Sequence, residues 1–391
     1  MRGGDSNGIR AYNEKLVVSA ILQEGSLSKA ELARTTGLSA NAAMVIANRL
    51  IEQGLLVKCD PVRGQIGQPS TPIAVNPKGA FALGVKVGRR AIKSLLINLS
   101  GETVASRETS YVYPEPVATL ATAVTQCTGL LSCLDPFESD RVMGLGIAMP
   151  GDLHAWTEEL GVEPGALDGW RDADIAGELA QATGIETSLF NDASAACAAE
   201  MIVGNGITHQ SALYIYFGTF IGGGIVIGGR LYQGERRNAG SIGSMPAGNA
   251  VGSSRQSQLI HCASLIQLET LLKGEGIDPA AVVDGNGGEM ADAVFSRWME
   301  TAVPAVARAI LSALSVIDFE AVVIDGNMKA EWCGALRSRI GAELDTLNMA
   351  GLAPPEIVSG SIGPMAPVLG AAMMPLRAGF APDPELLVRW R

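Results

Sequence analysis

The chain has 391 residues, of which 47% are apolar and only 5% are aromatic, and its formal net charge is −11. This length exceeds the size at which a single hydrophobic core stops growing, so two or three domains are expected. The polar start and the absence of long apolar runs predict no signal peptide and no membrane span. Six cysteines without Cys-x-x-Cys spacing exclude a disulfide-built secreted module and favour reduced thiols in a cytoplasm.

Charge is distributed unevenly along the chain. Residues 1–75 carry 8 Lys and Arg against 6 Asp and Glu, a net of +2, whereas residues 76–391 carry 21 against 34, a net of −13. A mildly basic first segment on an acidic remainder is typical of a chain whose first segment contacts a polyanion. A net charge of +2 is small, so the prediction of DNA binding depends mainly on the sequence motifs.

The first segment predicts three short helices. Residues 13–25 repeat apolar side chains with a helical period and end at a glycine. Ser28, followed three residues later by Glu31, forms a capping-box pattern for a second helix. A Thr-Gly turn then leads to Ser39, which is expected to cap a third helix over residues 40–53.

These helices are followed by a strand, a glycine-rich loop and a strand over residues 55–75, the order of a winged helix-turn-helix. We expect the third helix to enter a DNA major groove and the wing to contact the backbone or minor groove. The alternative is a helical packing module without a nucleic-acid role. Alanines 42 and 43 and Met44 occupy positions where polar base-reading side chains are expected. The candidate DNA-binding residues are polar or cationic: Ser28, Ser39, Asn41, Asn48, Arg49, Arg63 and Gln68.

Beyond residue 76, strands and helices alternate, which predicts an α/β body. Residues 81–99 read as a hairpin around a glycine corner, and residues 142–152 as a buried strand ending in a glycine-proline corner. Residues 187–200 read as a strand entering an Ala-rich helix, and residues 211–234 as two strands around a glycine loop.

Taken in order, these motifs resemble the ROK family (repressors, open reading frames and kinases) over nearly the whole chain. Gln68 stands where the wing of ROK repressors usually has the Arg of Gly-Arg-Pro. The resemblance implies a two-lobed actin/hexokinase-like fold with sugar bound in the cleft. The expected domains are the head (1–75), a first lobe (76–190) and a second lobe (191–369), with the segment from about 370 to 391 returning to the first lobe.

The resemblance also shows which kinase groups this chain lacks. Family kinases begin with Asp-x-Gly-Gly-Thr, where this chain has Lys86 and, after Val-Gly, Arg89 and Arg90. An ammonium cannot ligate Mg²⁺, and two arginine side chains fill space where bare backbone N–H groups would hold phosphate. A solvated basic turn is the favoured interpretation, and a site for a phosphorylated effector is the alternative.

The other cofactor motifs are altered as well. The second phosphate motif, at residues 218–224, carries Phe220 where phosphate needs a close approach to the backbone. Residues 240–244 lack both the acid and the zinc-ligating His of the family pattern. The zinc motif, at residues 260–269, keeps only Cys262 of three cysteines, and one ligand cannot hold a structural zinc. We therefore expect no ATP, magnesium or zinc and no metal ligands.

The sugar site is partly retained. Asp192 matches the family's general base, although an Asp at a strand-to-helix junction is also a natural helix cap. The resemblance places Glu269 at a sugar-binding position and Trp170 in a segment near the sugar. The candidate sugar-binding residues are Gly151, Trp170, Asn191, Asp192 and Glu269, with no catalytic residue among them.

The sequence is thus interpreted as a cytoplasmic DNA-binding regulator, expected to repress genes of carbohydrate metabolism. It would bind a double-stranded operator as a homodimer or tetramer and sense a sugar or sugar phosphate through a catalytically inactive domain. One alternative is a regulator that has lost sugar binding and answers to a protein partner. Another is an active sugar kinase.

Overall fold

The computed structural model describes residues 6–61, 71–151, 153–204, 207–249, 256–283 and 288–382. It has the mixed α/β architecture that the sequence predicts, with a helical head followed by two five-stranded sheets and their flanking helices. Among the described helices, none combines the length and the apolarity that crossing a membrane requires.

The head comprises short helices and strands, which are α1 (Ser6–Glu24), β1 (Ser26–Leu27), α2 (Lys29–Thr36), α3 (Ala40–Glu52), β2 (Leu56–Lys58) and β3 (Ile73–Val75). The three strands pair in the order β1-β3-β2. The predicted capping box of α2 is confirmed, since the Glu31 N–H donates to Ser28 Oγ at 3.3 Å and the Ser28 N–H donates to the Glu31 carboxylate at 2.9 Å. Gly37 ends α2 with a φ of 69°, a conformation that glycine adopts without steric cost.

The first sheet unit comprises β4 (Phe81–Val87), β5 (Ala91–Asn98), β6 (Thr103–Ser110), α4 (Pro116–Leu131), α5 (Pro136–Ser139), β7 (Val142–Met149), α6 (Thr157–Leu160), α7 (Ile175–Thr183) and β8 (Thr187–Asn191). Its strand order is β6-β5-β4-β7-β8. β4 and β5 form an antiparallel hairpin, whereas β4, β7 and β8 run parallel. The carboxyl ends of these three parallel strands therefore share one edge of the sheet.

Helix α8 (Asp192–Ile202) leads into the second unit, which comprises β9 (Ala212–Phe217), β10 (Ile221–Ile227), β11 (Arg230–Tyr232), β12 (Pro246–Asn249), β13 (Gln256–Gln258), α9 (Ile260–Ala263), α10 (Leu265–Gly274), α11 (Pro279–Val283), α12 (Gly288–Leu314), β14 (Ala321–Gly326), α13 (Ala330–Leu344) and β15 (Glu356–Ser359), and α14 (Ala366–Phe380) follows it. Its main sheet has the order β11-β10-β9-β14-β15. β12 and β13 form a separate pair.

The head shares a hydrophobic core with the first sheet unit. Buried residues of α1 and α3, such as Val17 and Leu50, belong to one cluster with Ile97 of β5 and Leu376 of α14. The Lys15 ammonium of α1 also donates to a backbone carbonyl near the end of α14, at 3.2 Å. The head is therefore packed on the body rather than tethered to it by a free linker.

Helix α14 packs against the first sheet and α8 at backbone distance, and glycines make this possible. A Cβ on Gly146 of β7 would lie 1.9 Å from the carbonyl oxygen of Ala371. A Cβ on Gly370 of α14 would lie 1.7 Å from the carbonyl oxygen of Ala195 in α8. Because both obstacles are backbone atoms, neither site has room for a methyl group.

We predict that Gly370→Ala lowers the free energy of unfolding by about 2–3 kcal/mol, because α14 must move away from α8. The matched control is Gly334→Ala in α13, where a Cβ would meet nothing within 4 Å. That change should be neutral or stabilise by up to about 1 kcal/mol, through helix propensity. Urea denaturation of both variants measures the difference, and equal stabilities would contradict the packing described.

Candidate functional site

Helix α3 presents a narrow exposed face beyond its capping residue Ser39. Asn41 and Asn48 are both exposed, as the sequence-based DNA-binding prediction requires. Between them lies Val45, whose side chain is 58% exposed although it is apolar. Spacings of four and three residues place these three side chains on one side of the helix. Sequence reasoning missed Val45, although its position one turn after Asn41 is the signal that identifies it.

Other residues of α3 have structural contacts. Ala43 is fully buried in the core of the head, so its interpretation as a base-reading position was wrong. Arg49 forms an ion pair with Glu14 of α1, which holds α3 against α1. Ser39 Oγ accepts the Ala42 N–H at 3.2 Å, so its hydroxyl caps α3 as predicted. Of the DNA-binding candidates, Arg63 and Gln68 lie outside the described residues.

Arg141, which precedes β7, attaches the end of α3 to the body. Its guanidinium donates to the carbonyl oxygens of Gln53 at 2.9 Å, Gly54 at 3.4 Å and Gly79 at 3.1 Å. The guanidinium also stacks on the Phe137 ring, 4.4 Å from its centroid. Since carbonyls at a helix C-terminus lack partners within the helix, a cation there stabilises both the helix and its attachment.

The cleft of the body lies at the carboxyl ends of the parallel strands, where ligands bind in open α/β sheets. Lys86 of β4 is opposite Ala148 of β7, which in turn is opposite Phe190 of β8. Asp192 follows directly after β8 as the first residue of α8. The register therefore brings Lys86 and Asp192 to the same edge of the first sheet.

Lys86 and Asp192 influence each other electrostatically. Burial lowers the pKa of the Lys86 ammonium, and attraction to Asp192 opposes that shift. Burial raises the pKa of the Asp192 carboxyl, and attraction to Lys86 opposes that shift as well. The Lys86 ammonium lies 5.9 Å from the centroid of the Tyr216 ring, which belongs to β9 of the second unit. The Tyr216 hydroxyl is buried and has no hydrogen-bond partner in the described part of the chain.

The turn between β4 and β5 is bound to the second unit by an ion pair. Arg89 Nη1 lies 2.5 Å and Arg90 Nη2 lies 3.0 Å from the same oxygen, Oε2, of Glu269 in α10. We call these three residues the clasp. The interpretation of this turn as a solvated basic loop was wrong for Arg89, which is only 12% exposed, whereas Arg90 is 37% exposed and Glu269 21%. Glu269 remains a predicted sugar ligand, but its carboxylate is engaged by the two arginines.

A second contact joins the two units beside the clasp. The ring of Phe220, in the turn between β9 and β10, meets the ring of Trp156 edge to face with centroids 4.2 Å apart. Phe220 therefore fills space in the position of the second phosphate motif. Edge-to-face aromatic pairs are favourable, so this contact adds to the attraction between the units.

The remaining sugar-binding candidates are located as follows. Asn191 caps α8, because its side-chain oxygen accepts the N–H groups of Ala193 at 3.1 Å and Ser194 at 3.2 Å. Trp170 is buried, and its indole N–H donates to the carbonyl of Pro114 at 2.7 Å. Gly151 lies in an exposed turn after β7. Their roles in sugar binding stay predictions.

The turn at the first predicted phosphate motif carries Lys86, where the resemblance implies a carboxylate. The Gly88 N–H in this turn donates to the Ala91 carbonyl at 3.0 Å. Cys262 has the Ser257 hydroxyl 3.6 Å from its sulfur. Within the described residues, no three His, Cys, Asp or Glu side chains come together as a metal site requires.

Comparison with known protein families gives two matches. A model described as the ROK family matches residues 82–378. A model described as a winged helix-turn-helix DNA-binding domain matches residues 10–57. Both agree with the resemblance stated from the sequence, which is thereby confirmed.

Individual proteins resemble this chain at low sequence identity. The xylose repressor of Bacillus subtilis is 23% identical over 241 residues, which are 62% of this chain and 62% of the repressor, less than two thirds of its length. A transcriptional regulator of Mycobacterium bovis is 26% identical over 354 residues, covering 88% of this chain and 73% of the regulator. The crystal structure of a ROK family transcriptional regulator, a homologue of the E. coli MLC protein, matches with a TM-score of 0.67 and 19% identity over 95% of this chain and 98% of that chain. This last likeness confirms the fold.

We predict that Arg141→Met loosens the end of α3 and the strand after it, because three carbonyls lose a cationic donor. Hydrogen exchange should become faster for the amides of residues 50–58, while amides in β4 keep their protection. The control is Arg308→Met in α12, where the arginine is exposed. Unchanged exchange in residues 50–58 would show that Arg141 does not hold the head.

Proposed function

Because this chain belongs to the ROK family, we propose that it is a transcriptional regulator, expected to be a repressor, whose head binds double-stranded DNA and whose body senses a sugar or sugar derivative. The observation that carries the proposal is the exposed face of α3, where Asn41, Val45 and Asn48 stand side by side beyond the cap at Ser39. A short capped helix with such a face, followed by paired strands, suits insertion into a major groove.

The chemistry of this face suggests how bases are read. Asparagine can make two hydrogen bonds to adenine, and an exposed valine can contact the methyl group of thymine. Arg49 would act indirectly, because its pairing with Glu14 holds α3 in place. Ser28 and Ser39 lie at helix N-termini, where backbone N–H groups suit phosphate. Arg63 and Gln68 remain candidates for contacts made by the wing.

The cleft supports a sensing role over a catalytic one. A kinase needs an oxygen ligand for Mg²⁺ and open backbone amides for the phosphates. Here Lys86, the clasp and Phe220 occupy the corresponding positions. Asp192 keeps the location of a base but lacks the phosphate-transfer groups around it, so its role would be to accept a hydrogen bond from a sugar hydroxyl.

The way the head is attached suggests how a ligand would act on DNA binding. The head and the first sheet unit share one core, and Arg141 fixes the end of α3, so these parts would move together. A ligand between Asp192 and the second unit would change the position of the second unit relative to them. In a homodimer or tetramer, that change would alter the spacing of two heads and thereby operator affinity.

We expect the protein to bind DNA from upstream of its own gene, and Asn41→Ala and Asn48→Ala each to weaken specific binding by about 1–3 kcal/mol. Fluorescence anisotropy with labelled DNA measures this, with and without a panel of sugars and sugar phosphates. The control is Gln181→Ala, which removes an exposed amide from α7 of the body. Equal affinities for specific and random DNA would contradict the proposal.

The ligand panel separates the sugar sensor from a regulator that answers to a protein partner. The second possibility draws support from the engagement of Glu269 by two arginines. A compound that changes operator affinity supports sugar sensing, whereas specific binding that no compound changes supports the protein partner.

A catalytic assay tests the third possibility. We expect no sugar-dependent hydrolysis of ATP, because the carboxylate for Mg²⁺ and the open phosphate loop are both replaced. The measurement is ADP release with each sugar of the panel, with a purified sugar kinase as positive control. Turnover that depends on both sugar and Asp192 would establish an enzyme instead.

A further inference from the structure

We propose that the turn between β4 and β5 is a receptor for an anionic group carried by the effector, and that Glu269 occupies this receptor when no effector is bound. The inference rests on the proposed function, because it assumes that an effector binds between the two sheet units. The ligand class is a polyol that bears one phosphate or carboxylate group.

The geometry of the clasp is that of an anion site filled by an internal carboxylate. Arg89 and Arg90 come from one turn and converge on one oxygen of Glu269, at 2.5 and 3.0 Å. In the described part of the structure, each guanidinium gives this carboxylate a single N–H contact. Arginine binds phosphate and carboxylate most strongly by two-point contacts. A free anion can therefore make better contacts with these guanidinium groups than Glu269 makes from its fixed position on α10.

Two further donors lie near the turn, one without an ion-pair partner and one without any hydrogen-bond partner among the described residues. The Lys86 ammonium belongs to the same hairpin, and the described residues place no carboxylate within ion-pair distance of it. The Tyr216 hydroxyl is buried without a partner among the described residues. Burial and the carboxylates of Asp325 and Asp192 raise the pKa of Tyr216, so its hydroxyl keeps its proton and remains a donor. A buried donor without a partner, such as the Tyr216 hydroxyl, marks a place where a ligand or water supplies the acceptor.

The local charge differs in sign from that of the body. Residues 76–391 have a net charge of −13, yet Lys86, Arg89 and Arg90 supply three positive charges against the two negative charges of Asp192 and Glu269. The neighbouring Lys93 is paired with Glu108 at 3.2 Å and adds no net charge. Displacing Glu269 leaves the receptor with two more positive than negative groups, while Asp192 can still accept a hydroxyl hydrogen. An anionic polyol satisfies both requirements.

Occupation of the receptor by a ligand would open the clasp. Glu269 and the anionic group compete for the same guanidinium N–H groups, so binding of one releases the other. Since α10 is held to the hairpin through Glu269, its release would free the second sheet unit to move. A receptor blocked by an internal competitor binds its ligand with an association constant that is multiplied by the fraction of time that it is open.

The test measures ligand affinity by isothermal titration calorimetry for the full chain and the variant Glu269→Gln. The ligands are pentoses, hexoses and hexosamines, each as the neutral sugar, its phosphate and its aldonic acid, with inorganic phosphate as the bare anion. We expect an anionic form to bind about tenfold or more tightly than its neutral parent, since hydrogen bonds to charged groups contribute at this level. Glu269→Gln should increase that affinity, and Arg89→Gln should abolish the preference for the anion.

The direction of the Glu269→Gln effect decides the outcome. If Glu269 is a sugar ligand, the variant binds every sugar more weakly, and the inference is wrong. A neutral sugar that binds as tightly as its phosphate, or a panel without any binding compound, would also overturn it. The matched control is Glu275→Gln, which removes a second ion pair near α10, with Arg297 at 3.0 Å, and should leave ligand affinity unchanged.

Two readouts keep this inference separate from the proposed function. Thermal denaturation followed by circular dichroism shows whether each variant is folded before its affinity is compared. Operator binding without ligand tests the regulator. A protein that binds its operator but prefers no anion refutes the receptor alone, whereas one that prefers anions but binds no DNA refutes the regulator alone. Comparing the affinities of the sugar phosphates and the aldonic acids shows whether the anionic group of the effector is a phosphate or a carboxylate.

Discussion

The close contact of α14 with β7 and α8 is the constraint on which the rest of the structure depends. Gly146 and Gly370 bring backbone against backbone, so this helix cannot be shifted without breaking the interior of the body. The same helix carries Leu376 into the core of the head and receives the Lys15 ammonium of α1. One rigid element therefore joins the DNA-binding head, the first sheet and the helix that begins the second unit.

The two sheet units also meet across the cleft, where their contacts differ from the backbone packing of α14. The contacts across the cleft are side-chain contacts: the clasp, the pair of Trp156 with Phe220, and Lys86 over the Tyr216 ring. Each can be broken and remade without disturbing a backbone hydrogen bond. This construction suits the proposed sensing role, in which a ligand would select between two arrangements of the units by binding one of them better.

The replacements in the cleft form a consistent set. A kinase places a carboxylate and open amides where negative phosphates pass, whereas this chain places Lys86, Arg89 and Arg90 there and closes the space with Phe220. In this structure the two arginines pair with the carboxylate of Glu269, so an internal anion lies at this turn. The hairpin keeps its antiparallel register around these side chains, so the fold of β4 and β5 does not depend on a carboxylate at residue 86.

The sequence by itself determined what depends on near neighbours: the capping box of Ser28 and Glu31, the limits of α3, and the hairpin of β4 and β5. Such features follow from contacts three or four residues apart, which a pattern of residue types reveals. Only the tertiary structure decided that Arg89 meets Glu269, 180 residues away, that Arg49 meets Glu14, and that Val45 faces outward. A charged or apolar side chain has no preferred distant partner until the topology brings two elements together, so residue type alone could not distinguish a solvated arginine from one held in a cleft.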